Sequence, residues 1–257
     1  MNLIRYETSA GTFHGELDGD VIHRFEGDFF TGRTRTGDSD PAASARLLHP
    51  TLPTKIVNIA VNYSSHVGGR PLNVVPQPFL ATPSSALDPE SPVVLPANST
   101  NAHYEGEVAI VIGRRARQIS VADARSHVLG VCCANDISER AWQGGDNKDT
   151  QWWHAKSADT FSPFGPHIAT DLDYDHLDLE TRLNGETVQQ SNTDQLVFSI
   201  DECIAYISQH MTLEPDDLVF TGTPGTTGPL SHGDIVEVEV EVEVQDVGIL
   251  RNPVEHR

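Results

Sequence analysis

Apolar residues along this chain fall mainly into short unbroken runs or strict alternation, the two patterns that β-strands produce. Residues 108–112 and 128–133 are continuous apolar runs, and 56–61 is one broken only by Asn58, as expected of strands buried on both faces. Residues 235–244 alternate: Val236, Val238, Val240, Val242 and Val244 against Glu237, Glu239, Glu241 and Glu243. That predicts a long strand with one buried face and one solvated, acidic face. Residues 177–183 and 186–189 flank Asn184-Gly185, a dipeptide that supplies the positive φ angles of a type I′ hairpin turn. Helical periodicity is scarce. Ile200, Cys203, Ile204 and Ile207 mark one face of a helix over 200–210, and Ser120 is placed to cap a short helix over 121–127. The pattern predicts a mostly β fold with some α.

Residues 1–50 read as a small N-terminal domain with its linker, and residues 51–257 as the larger domain. Segments 11–17 and 21–25 alternate around Asp18-Gly19-Asp20, which predicts a β-hairpin. Residues 31–44, rich in Thr, Gly, Ser, Asp and Pro, predict a loop or linker.

Composition narrows the partners. Seventeen basic against 37 acidic residues give a net charge of −20, which argues against nucleic acids and anionic membranes, since both need basic surfaces. No apolar run reaches the length of a membrane span, and no signal-peptide pattern opens the chain. Three cysteines, two of them adjacent, are no disulfide framework, so a cytoplasmic protein is expected. Cys132 and Cys133 read as core.

The candidate chemistry lies at one end of an apolar run. In His103-Tyr104-Glu105-Gly106-Glu107 the two glutamates are two residues apart and share a strand face. Like charges this close repel unless something positive sits between them. A hard divalent cation such as Mg²⁺ or Ca²⁺ is the simplest such partner. Asp136 ends another apolar run and completes a candidate three-carboxylate metal site.

Several spans together resemble the fumarylacetoacetate hydrolase superfamily. They are Val61-Asn62-Tyr63-Ser64-Ser65-His66; Tyr104-Glu105-Gly106-Glu107; Asn135-Asp136 through Arg140 to Gln143; Ala155-Lys156-Ser157-Ala158-Asp159-Thr160-Phe161; Asn184-Gly185-Glu186 with Gln189; Tyr206-Ile207-Ser208 with Thr212-Leu213; and Phe220-Thr221-Gly222-Thr223-Pro224-Gly225 with Gly233-Asp234. They follow one another in the family's order from about residue 55 to 254.

The resemblance implies a mixed β-roll core, a homodimer, and a divalent metal, Mg²⁺ or Mn²⁺, on Glu105, Glu107 and Asp136. It implies a 2-oxo or 2,4-dioxo carboxylate substrate and hydrolysis of a C–C bond through a metal-stabilised enolate, as for an acylpyruvate or fumarylacetoacetate. It assigns His66 and Lys156 catalytic roles, and gives Tyr63, Arg140, Gln143, Lys156 and Thr223 to substrate binding. Two departures stand out. Many members have a glutamate three residues after the lid histidine, where this chain has Gly69, and a lysine before proline where it has Thr82. A histidine without its carboxylate loses basicity and orientation, so decarboxylation, keto–enol isomerisation and a non-catalytic metal-binding homologue are the alternatives. Gly68-Gly69 predicts a flexible segment over 64–76, and 144–149 is similarly turn-prone. Trp142, Trp152 and Trp153 are expected to form an apolar wall.

Overall fold

The computed structural model describes residues 1–144, 148, 150–242 and 245–257, with the backbone alone for 242, 245 and 246. Its main sheet runs, neighbour to neighbour, through Gly32–Pro41, Val21–Asp28, Gly11–Asp18, Asn2–Thr8, Ser162–Ala169, Val128–Asn135, Gly106–Ile112, Leu218–Phe220, Ile56–Ile59 and Pro78–Ala81. Neighbours on this path are antiparallel except Leu218–Phe220 with Ile56–Ile59. A second sheet is ordered Glu186–Asn192, Asp178–Leu183, Ile235–Val242, Gln245–His256 and Val93–Leu95. The fold is mostly β, as the pattern predicts.

The apolar run at Gly106–Ile112 is unbroken because the strand is buried on both faces. Val108, Ile110 and Ile112 pack with Ile59, Val131, Val238, Val240 and Ile204 between the main sheet, the second sheet and the helix. Ala109 and Val111 point the other way, into a core with Leu3, Ile56, Phe164 and Phe220. The helix Ile200–His210 starts at a capping box: Ser199 accepts from the Glu202 amide while the Glu202 carboxylate accepts from the Ser199 amide, so two otherwise orphaned donors are satisfied. The Asn184-Gly185 hairpin forms, with φ of +55° and +83° at the two residues. Ser120 caps the expected short helix, which is α-helical over Val121–Ala124 and continues as a 3-10 turn over Arg125–His127.

Two expectations change. Residues 31–44 are not a linker, since Gly32–Pro41 is a strand paired with Val21–Asp28. It lies at the sheet's edge and is largely exposed, so its polar composition reports solvation rather than lack of backbone pairing. The adjoining N-terminal strands pair into the main sheet through Asn2↔Ala169 and Leu3↔Ile168. Finally, the acidic row beside the buried Val236, Val238 and Val240 is not simply solvated. Pairing sets Arg182 opposite Glu237, and the Arg182 guanidinium bridges Glu237 and Glu239. Glu243 and Val244 lie outside the described residues.

Candidate metal centre

The antiparallel register of Gly106–Ile112 on Val128–Asn135 pairs Gly106 with Asn135, so Glu105 and Asp136 continue as neighbours. Backbone and side-chain bonds lock them. The Asp136 amide donates to the Glu105 carbonyl at 2.9 Å, and the Glu105 amide to Asn135 Oδ1 at 2.8 Å. Gly106 is held from the other side: its amide donates to Gln189 Oε1 at 3.0 Å and its carbonyl accepts from Thr223 Oγ1 at 2.9 Å. A Cβ at Gly106 would lie 1.9 Å from Thr181 Oγ1, so the second sheet comes closer than a side chain allows. The Gly222 amide donates to Glu107 Oε2 at 2.7 Å.

The result is a buried trio, Glu105, Glu107 and Asp136, with ligand oxygens within 4.8 Å of one another. Lys156 Nζ reaches Glu105 Oε2 at 2.7 Å and also bonds Asp136 Oδ2. The Arg140 guanidinium bonds Glu105 Oε1, Thr227 Oγ1 at 3.0 Å and Gln143 Oε1 at 2.8 Å. Burial would raise Glu105, but Lys156 and Arg140 outweigh it and hold its carboxyl at about 2. Burial lifts Asp136 to about 7 despite Lys156. Glu107 stands well above the usual carboxylate range, through burial and then the charges of Asp136 and Glu105. Burial would lower Lys156, yet Asp136 and Glu105 raise it.

These residues fit a divalent cation. Asp136 Oδ1 is buried without a hydrogen-bond partner among the described residues, a costly arrangement unless something else meets it. Ionised together, as they would be around a cation, the three carboxylates outnumber the two cationic side chains by one charge, and an all-oxygen donor set suits a hard ion.

The trio floors a cavity of about 220 Å³, whose wall also includes His66, Phe79, Arg140, Gln143, Trp152, Lys156, Thr223 and Arg70. His66 sits on the short helical turn Ser64–His66, and no strand or helix follows it before Pro78–Ala81. Its Nδ1 lies 2.7 Å from the Gly225 carbonyl. A carbonyl only accepts, so Nδ1 carries the proton and Nε2 is left as acceptor. No carboxylate bonds this ring among the described residues. The Asn62 side chain anchors the segment at its start: it donates to the carbonyls of Thr221 at 2.9 Å and Phe198 at 3.1 Å, and accepts from the Phe198 amide at 2.9 Å.

Eight of the nine expected site residues therefore meet at one cavity. Tyr63 does not line it. Its ring is fully buried and its hydroxyl has no partner among the described residues; burial, then Glu107 and Asp194, raise its pKa. Thr223 is present, but its hydroxyl proton is spent on the Gly106 carbonyl and the oxygen already accepts from Gln189 Nε2 at 2.9 Å. It holds the ligand strand and has no donor left for a substrate oxygen. Of the tryptophans only Trp152 reaches the cavity, set edge-on against Phe79. Trp152 and the largely exposed Trp153 line an adjoining pocket with Phe79 and Leu80, while Trp142 stacks on His154, so two of the three expected rings share an apolar wall beside the site. Within 144–149, residues 145–147 and 149 lie outside the described residues. The cavity residue that pattern reading passed over is Arg70. Its only signal was a charge following Gly68-Gly69 in a segment that already carried His66.

The family model for fumarylacetoacetate (FAA) hydrolase, C-terminal, matches residues 55–255, and the Rv2993c-like N-terminal model matches residues 1–50. Among sequences, Protein Rv2993c of Mycobacterium tuberculosis is 42% identical over 272 residues, covering 99% of this chain and 98% of that protein. The bovine mitochondrial oxaloacetate tautomerase FAHD2A is 37% identical, covering 83% and 71%. Among solved structures, 5-carboxymethyl-2-hydroxymuconate delta-isomerase from Mycobacterium smegmatis superposes with a TM-score of 0.91 at 38% identity over 100% of both chains. Maleylpyruvate hydrolase from Sphingobium sp. SYK-6, in complex with manganese (II) ion and pyruvate, gives 0.81 at 29% identity, over 100% of this chain and 99% of that one.

Proposed function

Because this chain belongs to the fumarylacetoacetate hydrolase family, we propose that it is a metal-dependent enzyme that interconverts the keto and enol forms of a 2-oxo carboxylic acid. Glu105, Glu107 and Asp136 would hold the cation, Mg²⁺ or Mn²⁺. Bound there, it supplies Lewis-acid polarisation of substrate oxygens. Lys156 places a fixed positive charge beside the same site, where negative charge develops as the carbon proton leaves. His66 Nε2 takes that proton and returns it to the other position.

One observation carries the choice of reaction: His66 is held by the Gly225 carbonyl rather than by a carboxylate. A neutral imidazole held this way can shuttle a carbon-bound proton. Driving water onto a carbonyl asks more of it, because no acid stands behind the ring to stabilise the imidazolium. The relatives named for isomerisation and tautomerisation are 38% and 37% identical, against 29% for the hydrolase. The family resemblance and the hydrolase neighbour favour a second reading, C–C hydrolysis of an acylpyruvate-like or fumarylacetoacetate-like substrate. A cytoplasmic homodimer belongs to both readings.

The test is to supply Mg²⁺ or Mn²⁺ and follow the ultraviolet enol signal of oxaloacetate, with product analysis on oxaloacetate and an acylpyruvate. Accelerated loss of the enol signal without CO₂ release or cleavage is expected. Release of pyruvate and a carboxylic acid from the acylpyruvate would establish hydrolysis instead. No acceleration with any of these compounds would favour the non-catalytic homologue.

A further inference from the structure

Among the described residues, Arg70 is the one cation on the cavity wall whose charge is not already matched. Lys156 is taken up by Glu105 and Asp136, and Arg140 by Glu105. Arg70 has no acidic partner among the described residues. It is exposed at the cavity's edge, yet it is not a loose surface side chain. Gly68 and Gly69, at φ of +63° and +79°, turn the chain back on itself. The Val67 carbonyl then accepts both the Arg70 amide at 3.3 Å and Arg70 Nε at 2.9 Å. Bonding at Nε fixes the plane of the guanidinium and leaves its two terminal nitrogens without a hydrogen-bond partner among the described residues. That is the planar fork that grips a carboxylate through two parallel bonds.

The charge balance of the cavity says what the fork is for. With a divalent cation in place, the three carboxylates are countered by the ion, Lys156 and Arg140 with one positive charge left over. That suits the single carboxylate of a simple 2-oxo acid. Arg70 raises the surplus to two. We infer that Arg70 is a specificity-determining residue that binds a second carboxylate, so the preferred substrate is a 2-oxo dicarboxylic acid, its oxo-acid end at the trio and its far carboxylate on Arg70. This rests on the 2-oxo acid reading above and narrows it.

The experiment is calorimetric titration of the Mn²⁺-loaded protein with oxaloacetate and 2-oxoglutarate, and with pyruvate and 2-oxobutyrate as their one-carboxylate counterparts. Wild type, Arg70→Gln and Arg70→Lys are compared, each first checked for an unchanged melting temperature. Wild type is expected to bind at least one dicarboxylate about tenfold or more tightly than its counterpart, the scale of one charge-assisted bidentate contact. Arg70→Gln should erase that preference while leaving the monocarboxylates unchanged, and Arg70→Lys should keep part of it. Absence of a preference in wild type, its survival in Arg70→Gln, or equal weakening of both ligand classes would each overturn the assignment. Enolisation measured in parallel separates the two claims. Preference without enolisation keeps Arg70 and removes the keto–enol reading, and enolisation without preference does the reverse.

Discussion

Replacing Lys156 by methionine tests the electrostatic account of the site most directly. The lysine side chain is only 3% exposed and contacts two carboxylates that are equally buried. Removing one partner of a buried ion pair typically costs about 3–5 kcal/mol, because the opposite charge stays behind uncompensated. Asp136 softens this, since its carboxyl already stands at about 7 and takes up a proton readily near neutrality. The lower end, about 3 kcal/mol, is therefore expected at pH 7. For a chain of this size that lowers the melting temperature by about 6–12 °C. The pH trend has a definite sign. Without the ammonium, Glu105 loses its main counter-charge and both acids titrate above their unfolded values. The folded variant then binds more protons than the unfolded chain, so its stability falls as pH rises through that range. The deficit against wild type should be smallest near pH 5 and largest near pH 8. A divalent cation replaces the missing positive charge, so saturating Mn²⁺ should raise the variant's melting temperature more than that of wild type. Scanning calorimetry at pH 5, 7 and 8, with chelator and with Mn²⁺, measures all three effects. A variant as stable as wild type in chelator at pH 8 would refute the view that Lys156 compensates buried negative charge.

Gly106→Ala should cost about 1–3 kcal/mol by overpacking against Thr181 and weaken metal binding, because it displaces the strand between the two glutamates. Adding Thr181→Ala, which removes a hydroxyl that has no partner, should return much of the loss in a double-mutant cycle of thermal unfolding. Glu107→Gln should leave metal-free stability within about 1 kcal/mol of wild type at pH 7, since Glu107 is already held far above the usual carboxylate range, while the Mn²⁺-induced rise in melting temperature disappears. His66→Gln should lower the enolisation rate by about 10²–10⁴-fold with metal affinity by titration unchanged; a rate within threefold of wild type would remove His66 as the proton carrier.

What could be read from the chain was whatever short-range pattern encodes. The unbroken run at 108–112, the Val–Glu alternation and Asn184-Gly185 each determine local structure within a few residues, and each formed. Glu105, Glu107, Asp136 and Lys156 could be read because the motif order was intact. The errors share a cause: they concern what lies across space. Nothing in the polar stretch 31–44 shows that Val21–Asp28 offers it a free edge. The acidic row gave no sign that Arg182, more than fifty positions away, would lie in register with it. Thr223 matched the motif, yet the hydrogen-bond inventory of its hydroxyl depends on Gly106 and Gln189. Tyr63 illustrates the same limit, since it shares a segment with His66 but faces the interior.

The peptide of Gly225 carries a consequence for timing. Its carbonyl accepts from His66 while its amide donates to Ser65 Oγ at 3.0 Å, so consecutive residues of one segment grip both ends of a single residue in the loop that follows Thr223. His66 and the loop that follows Thr223 are thereby clasped like two halves of a buckle. If the clasp opens to admit a substrate, the base withdraws as the loop lifts, and both return together. With His66 as the proposed base, solvent entering an opened cavity would find no base beside it until the clasp had shut again.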